Sequence, residues 1–210
     1  MSDFYALADL KIDELNRLTI SRFESVKRQL RKQKYDPLIV TQLITALYEQ
    51  LDADTRYELY LLADEQYATF AQELGVEELD EGFEDLFLEN VISKPDPITR
   101  YTYDTEILRK RDRAIEGINA VTGSLKKQFE LDKAMRFLNQ MQQQYIDNVA
   151  YEAAIKSFKD AGIKYVRWVT QKDDKVCADC EAKDGKIYPI GNIPQRPHWR
   201  CRCFCTPLSK

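Results

Sequence analysis

Hydrophobic residues between positions 4 and 30 recur at steps of mostly three and four. That period predicts an amphipathic α-helix with one apolar stripe. The stripe consists of Phe4, Leu7, Ala8, Ile12, Leu15, Leu18, Phe23, Val26 and Leu30. Asp36-Pro37 ends the pattern, because proline suits a first helical turn and disfavours helix in the residue before it.

A second helix is predicted directly after Pro37, and a third after Asp54 or Thr55, either of which can cap a helix start. The apolar face of the second helix consists of Leu38, Ile39, Leu43, Ile44, Leu47 and Leu51. We expect the third helix to end at Gly75, since glycine adopts the left-handed conformation that closes many helices. A shorter acidic helix is expected within residues 75–90. Its inward positions are Leu79, Phe83, Leu86 and Phe87.

Two more helical segments follow a proline-containing loop at residues 93–101. Residues 104–120 form the first, and the second runs from the break at Thr122-Gly123-Ser124 to about Ala161, where Gly162 provides a stop. The second segment contains QMQQQYIDN (residues 140–148), which we expect to bend or interrupt the helix because it is so polar.

The period changes after Gly162. Residues 163–170 (IKYVRWVT) are β-branched and aromatic, as is typical of a strand. A second strand is predicted in residues 183–191 (KDGKIYPIG), after a turn at Asp184-Gly185. The chain therefore consists of a helical part followed by a short part that contains β-strands.

Composition indicates an ordinary folded protein. Of 210 residues, 44% are hydrophobic and 31% charged, and the twelve tyrosines and nine phenylalanines argue against disorder. The first residues lack the basic and apolar regions of a signal peptide, and no apolar run approaches the ~18 residues that span a bilayer. We therefore expect synthesis in a cytoplasm, where thiols stay reduced, and no membrane partner.

Charge is unevenly distributed along the chain. The net charge is −4, yet residues 161–210 contain ten Lys or Arg against five Asp or Glu, which leaves −9 on residues 1–160. Residues 57–93 contain eleven acids and no base. We interpret this acidic stretch as a solvated helix face, with a surface suited to a basic protein partner as the alternative.

All cysteines and the only histidine lie near the end of the chain, at Cys177, Cys180, His198, Cys201, Cys203 and Cys205. Cys177-x2-Cys180 and His198-x2-Cys201 are two pairs separated by seventeen residues. Such spacing lets a hairpin bring two ligand pairs together around a tetrahedral zinc ion. The predicted metal ligands are Cys177, Cys180, His198 and Cys201.

Cys203 competes for the fourth ligand position. We expect only one of Cys201 and Cys203 to reach the ion easily, with their sulfurs on opposite faces of an extended segment. Cys201 is favoured because His198-x2-Cys201 mirrors Cys177-x2-Cys180. Cys205 is expected to be a spare or buried thiol.

The expected zinc site is structural. A C-terminal segment of this length rarely forms a stable fold on a single hydrophobic core without a bound metal or a disulfide. The predicted fold class is mainly α: a multi-helix body followed by a small α+β zinc-stapled C-terminal module. The predicted domains are a helical body (residues 1–123) and, over residues 124–210, the long helix plus the zinc-binding module. We expect no enzyme activity, because no nucleophile lies beside a base and no glycine-rich phosphate loop is present.

The stretches WVTQKDDKVCADCEAKDGKIYPI and RPHWRCRC resemble the C-terminal signature of the phage Mu-F-like minor head protein (phage head morphogenesis) family. The matching positions are Trp168, Asp174, Cys177, Cys180, Asp184, Gly185, Pro197, His198, Cys201, Arg202 and Cys203. The resemblance is specific over roughly residues 145–207 and weak before them.

The resemblance implies a minor capsid protein of the virion, associated with the portal vertex and head assembly, and in some cases with DNA packaging or delivery. Portal or capsid proteins are then the expected partners, with packaged DNA a further one through the basic C-terminal segment. The alternative function is a nucleic-acid-binding zinc module. Its candidate residues are Lys164, Arg167, Lys172, Lys175, Lys183, Lys186, Arg196, Arg200 and Arg202.

Overall fold

The computed structural model describes residues 4–76, 83–96, 99–171, 176–198 and 201–208. This part contains six α-helices, one 3-10 turn (Ile190–Asn192) and three strands. The elements are α1 Ala6–Lys32, α2 Pro37–Glu73, α3 Phe83–Ile92, α4 Tyr103–Ala120, α5 Ser124–Asp160, β1 Tyr165–Val169, α6 Ala178–Glu181, β2 Ile187–Pro189 and β3 Phe204–Pro207. The predicted class, mainly α with a small α+β C-terminal part, is confirmed.

The start of α2 follows from its sequence. Asp36 is the N-cap, and its side chain accepts hydrogen bonds from the amides of Leu38 and Ile39, while Pro37 occupies the first turn. The predicted stripe of α1 is buried at most positions, although Leu18 is exposed.

A separate third helix was wrongly predicted, because α2 runs without a break through Asp54 and Thr55. Neither side chain caps a helix. Asp54 pairs with Arg22 of α1 at 2.7 Å, and the hydroxyl of Thr55 donates to the Leu51 carbonyl one turn earlier at 2.6 Å. The end of α2 lies close to the predicted stop, and Gly75 adopts a positive φ of 73°.

The expected interruption of the long helix was also wrong, since α5 is continuous from Ser124 to Asp160. Its polar residues at this point are partnered by other helices. Gln142 accepts from the Thr19 hydroxyl of α1 (3.1 Å) and donates to the Thr55 hydroxyl of α2 (2.9 Å). The buried Gln142 amide is therefore paired on both sides, with α1 and with α2, inside the bundle.

An acidic helix is present, and the loop after it is described at residues 93–96 and 99–101. α3 covers the second half of the predicted segment, and Phe87 packs against the core as expected. Leu79 and the side chains of Phe83 and Leu86 lie outside the described residues. In the following loop, the buried Asp96 accepts from the Thr99 amide at 2.8 Å.

The three strands form an antiparallel sheet in the order β2-β1-β3. Arg167 of β1 lies opposite Ile187 of β2 and Thr206 of β3. β1 and β2 match the two predicted strands, whereas β3 was not predicted. Its four residues, FCTP, are too few to establish an alternating pattern, and the sequence around them was interpreted through its cysteines.

One hydrophobic core continues from the helices into the C-terminal part. The buried residues of this core include Trp168, Cys180, Cys201, Cys203 and Cys205 together with side chains of α1, α2, α4 and α5. Phe204 of β3 stacks on Phe4, with ring centroids 4.9 Å apart. The boundary between residues 123 and 124 stays a prediction. Within the described residues, no helix is both long and apolar enough to cross a membrane.

Candidate metal centre

The first ligand pair is positioned by a short turn of helix. Cys177 is the N-cap of α6, and its sulfur accepts a hydrogen bond from the Cys180 amide at 3.4 Å. This turn places both thiols on the same side of the chain. The segment is held against the sheet because Asp184 accepts from the Thr170 amide at 2.9 Å, and Gly185 completes the turn with a φ of 72°.

The second pair, His198 and Cys201, comes from the segment that precedes β3. The Cys201 amide donates to the His198 carbonyl at 3.2 Å, which holds the two residues close together. Cys180 then lies between the two halves. Its sulfur is 3.5 Å from His198 Nε2 and 3.6 Å from the sulfur of Cys201.

The candidate ligands form two groups that share Cys180. The donor atoms of Cys177, Cys180 and His198 all lie within 4.8 Å of one another, and so do those of Cys180, Cys201 and Cys203. Zinc–sulfur bonds of about 2.3 Å in a tetrahedron place two sulfurs roughly 3.8 Å apart, close to the observed Cys180–Cys201 spacing. All four predicted ligands therefore belong to this cluster, and its thiol and imidazole donors are those that zinc prefers.

The expectation that Cys203 and Cys201 would point to opposite faces was wrong. Side chains alternate along an extended chain, so residues two apart lie on the same face. The structure brings both sulfurs to the sulfur of Cys180, in the second of the two groups. Spacing alone therefore does not decide between Cys201 and Cys203.

Cys205 occupies a different environment. It is fully buried in β3 opposite Trp168, and its sulfur lies 3.5 Å from the hydroxyl of Tyr151 on α5. Burial raises the pKa of this thiol to about 11, which favours the neutral form. Its position agrees with the expectation of a buried thiol.

The thiols of the cluster differ in acidity. A hydrogen bond from Cys203 lowers the pKa of Cys201 to about 5, and the same contact raises the pKa of Cys203. Burial raises the pKa of Cys180 to about 12. Among the three thiols that include Cys180 and Cys203, Cys201 therefore loses its proton most readily, because the hydrogen bond stabilises its thiolate. A bound cation would stabilise further thiolates, since metal binding releases thiol protons.

Two arginines attach the cluster to the helices. Arg196 donates to the Cys201 carbonyl (3.0 Å) and the Asp147 carbonyl (3.3 Å), and its guanidinium lies 4.9 Å from the ring centre of Tyr151. Arg202 pairs with Asp9 at 3.0 Å and Asp147 at 3.5 Å. These anchoring roles were missed in the sequence, because the partners on the helices lie 45 or more positions away.

Two aromatic residues of the sheet pack together in this C-terminal part. Trp168 is fully buried, and its ring lies edge-on to Tyr188 at 6.5 Å between centroids. Asp174 and Trp199 lie outside the described residues.

The cluster coincides with the region of a known protein family. Residues 111–206 match the family model of Phage Mu protein F like protein. This Phage Mu protein F like region covers just under half of the chain and contains all five cysteines and His198. The resemblance seen in the sequence is confirmed, and it extends upstream of residue 145 through α5 into α4. No curated protein and no solved structure gives a significant match.

Proposed function

We propose that this chain is a structural protein of a phage head that acts in head morphogenesis. The observation that carries the proposal is the Phage Mu protein F like region, in which the family match and the Cys/His cluster coincide. A role without catalysis fits the cluster, because Cys180, Cys201 and Cys203 are buried and a structural zinc site is closed to substrates.

The proposed cofactor is one zinc ion held by Cys177, Cys180, His198 and Cys201, with Cys203 as the competing fourth ligand. The zinc would fix the loop between β2 and β3 against α5, where Arg196 and Arg202 already attach it. We expect elemental analysis of protein purified without chelator to give one zinc per chain. Protein without metal would contradict the zinc proposal and leave the head-protein proposal to the genetic test below.

The proposed location is the virion, in few copies at or near the portal vertex. Contacts with portal or capsid proteins would come mainly from the helices of residues 1–160. Exposed apolar side chains on α1, α2, α4 and α5 support a protein partner.

The test of this proposed location and role is a phage that lacks this gene. Absent or empty heads would favour assembly, and complete heads that deliver DNA poorly would favour delivery. Particles that assemble, package and infect normally would contradict the proposal.

Nucleic-acid binding is the second candidate function, and the sheet gives it one specific observation. Lys164, Arg167 and Lys186 are exposed on or beside β1 and β2. Arg196 and Arg202, by contrast, are engaged with the helices, which leaves fewer cations for phosphate contacts. If the chain binds DNA, its affinity should fall steeply with salt, because phosphate contacts release counterions. A contact through apolar helix faces would change far less.

A further inference from the structure

The metal cluster contains one donor more than a structural zinc ion uses. Structural zinc sites are almost always four-coordinate, whereas the two groups together contain five donors: Cys177, Cys180, His198, Cys201 and Cys203. The proposed zinc takes four of these and leaves Cys203. This residue is only 4% exposed, and its sulfur lies within 4.8 Å of the sulfurs of Cys180 and Cys201. The surplus thiol is therefore placed where it can bind metal together with two others.

The second of the two groups, which we call the three-sulfur group, consists of Cys180, Cys201 and Cys203. All three residues are at most 4% exposed. Metal–sulfur bonds of about 2.3 Å in a trigonal plane place three sulfurs roughly 4 Å apart. The Cys180–Cys201 spacing of 3.6 Å is close to this value, and the other two spacings are each within 4.8 Å. The group can therefore surround one ion with three sulfurs.

A fourth donor is not in place for an ion in the three-sulfur group. Among the described residues, no further His, Cys, Asp or Glu side chain joins these three sulfurs within 4.8 Å. Two backbone oxygens of the group already accept hydrogen bonds. The Cys201 carbonyl accepts from Arg196 at 3.0 Å, and the Cys203 carbonyl accepts from the Tyr5 hydroxyl at 3.3 Å. The group therefore suits an ion that is stable with three ligands better than it suits zinc, which prefers four.

The donor atoms of the two groups differ in kind. The three-sulfur group contains thiols alone, and thiolates without nitrogen or oxygen partners favour soft ions such as Cu(I). Cu(I) has a filled d shell and is stable with three thiolates. The first group instead contains the imidazole of His198 and the half-buried Cys177, a mixed donor set that zinc accepts readily. The cluster therefore offers places for two kinds of ion.

Charge also favours a monovalent ion in the three-sulfur group. A zinc ion with three thiolates and one neutral imidazole has one net negative charge, and Arg196 lies against the cluster through its bond to the Cys201 carbonyl. A monovalent ion that replaces the proton of Cys203 leaves this net charge unchanged. A second divalent ion would add a positive charge beside the guanidinium, away from water, which costs free energy.

We infer that the three-sulfur group binds one soft monovalent metal ion, of the class of Cu(I), beside the proposed zinc. This inference rests on the proposed zinc site, with which the group shares Cys180 and Cys201. A thiolate sulfur has lone pairs for two metal ions, so these two residues would bridge the ions, and Cys203 would bind the second ion alone. On binding, the sulfur–hydrogen bond of Cys203 breaks, a sulfur–copper bond forms, the proton passes to water and no electron is transferred.

Anaerobic titration of the zinc-loaded full chain with Cu(I), in competition with the chelator bicinchoninate, tests the second site. Bound copper is followed by the ultraviolet charge-transfer absorption of its thiolate bonds, and zinc by elemental analysis after desalting. The wild type should bind one Cu(I) per chain and keep its zinc. Cys203→Ser should keep its zinc and bind Cu(I) more than about 100-fold more weakly, since loss of even an outer-shell partner costs about 10- to 100-fold in metal affinity.

Cys205→Ser is the matched control, because it removes a buried thiol that belongs to neither group. It should bind Cu(I) like the wild type. Zinc retained by Cys203→Ser shows that this variant is folded around the cluster, so that its loss of copper reports the missing ligand.

Copper that displaces zinc one for one would overturn the inference, because a single site would then serve both ions. So would a zinc-loaded wild type that binds no copper, or a Cys203→Ser chain that binds copper as tightly as the wild type. A chain that contains no zinc but binds one copper through Cys203 would contradict the zinc proposal and support the three-sulfur group as a site.

Discussion

Cys180 is the residue on which the metal cluster depends most, because it belongs to both groups of donors. We expect Cys180→Ser to abolish zinc binding, whichever of Cys201 and Cys203 is the fourth ligand. Cys205→Ser is the matched control, since this buried thiol contacts Tyr151 instead of the cluster. Elemental analysis of both purified variants checks the prediction, and a Cys180→Ser protein with full zinc would contradict it.

The fourth ligand is decided by a separate pair of variants. We expect Cys201→Ser to lose zinc and Cys203→Ser to retain most of it, because Cys201 completes the second x2 pair and lies 3.6 Å from Cys180. Zinc content and cobalt absorption spectra distinguish the two. The opposite result would assign the position to Cys203.

Burial of Tyr48 makes the free energy of unfolding depend on pH in the alkaline range. Burial raises its pKa well above the ordinary value near 10, so the native state keeps a proton that the unfolded state releases. Its contribution to the free energy of unfolding is complete below pH 10 and is lost as pH rises above that value, by at most about 1.4 kcal/mol per pH unit. Urea denaturation of Tyr48→Phe between pH 9 and 11.5 should show a shallower decline than the wild type. Tyr165→Phe, at an exposed tyrosine, should keep the wild-type decline.

At the scale of secondary-structure elements, the positions of the helices could be predicted from local sequence patterns. The continuity of α2 and α5 could not. The stripe of α1, the cap at Asp36 and the stop at Gly162 are local signals, and the structure contains all three. α2 and α5 were each expected to break where polar residues interrupt the apolar period. They continue because those residues find partners on other helices, which a single chain segment does not reveal.

The chain Thr19–Gln142–Thr55 is the clearest case of such partners, since it joins α1, α5 and α2 inside the core. Gln142→Leu would leave the buried Thr19 hydroxyl without its acceptor. We expect the free energy of unfolding to fall by about 1–3 kcal/mol. The midpoint of urea denaturation measures this loss. Gln140→Leu, an exposed glutamine of the same helix, should change it little, and equal effects would contradict the role of the network.

The candidate metal ligands could be predicted from the sequence, whereas the residues that attach the site to the helices could not. The two x2 spacings predicted four metal ligands, and the structure brings these four residues into one cluster. Arg196 and Arg202 were assigned to a general basic surface, because charge alone does not distinguish a phosphate contact from a contact with Asp147. That distinction depends on the docking of the C-terminal part against α5, which follows from tertiary packing.

For the molecule as a whole, the main question is how far zinc supports the fold. We expect a chelator to loosen the segment around α6 and the sheet while most helical circular dichroism remains, because the helices bury their own stripes. Trp168, fully buried in β1, should then shift its fluorescence toward that of exposed indole. Loss of all helical signal on chelation would show instead that helices and sheet unfold as one unit, as their continuous core would allow.

The contact between the beginning of α1 and β3 has a consequence for biosynthesis. Phe4 stacks on Phe204, and the Tyr5 hydroxyl donates to the Cys203 carbonyl across 198 positions of sequence. A ribosome releases the chain from its N-terminus, so the contacts of Phe4 and Tyr5 with this C-terminal segment cannot form until residues 203 and 204 have been made. Contacts of such long range form late in folding. Nascent chains that stall before residue 203 should therefore leave these two aromatic rings more exposed to chaperones than chains that include β3.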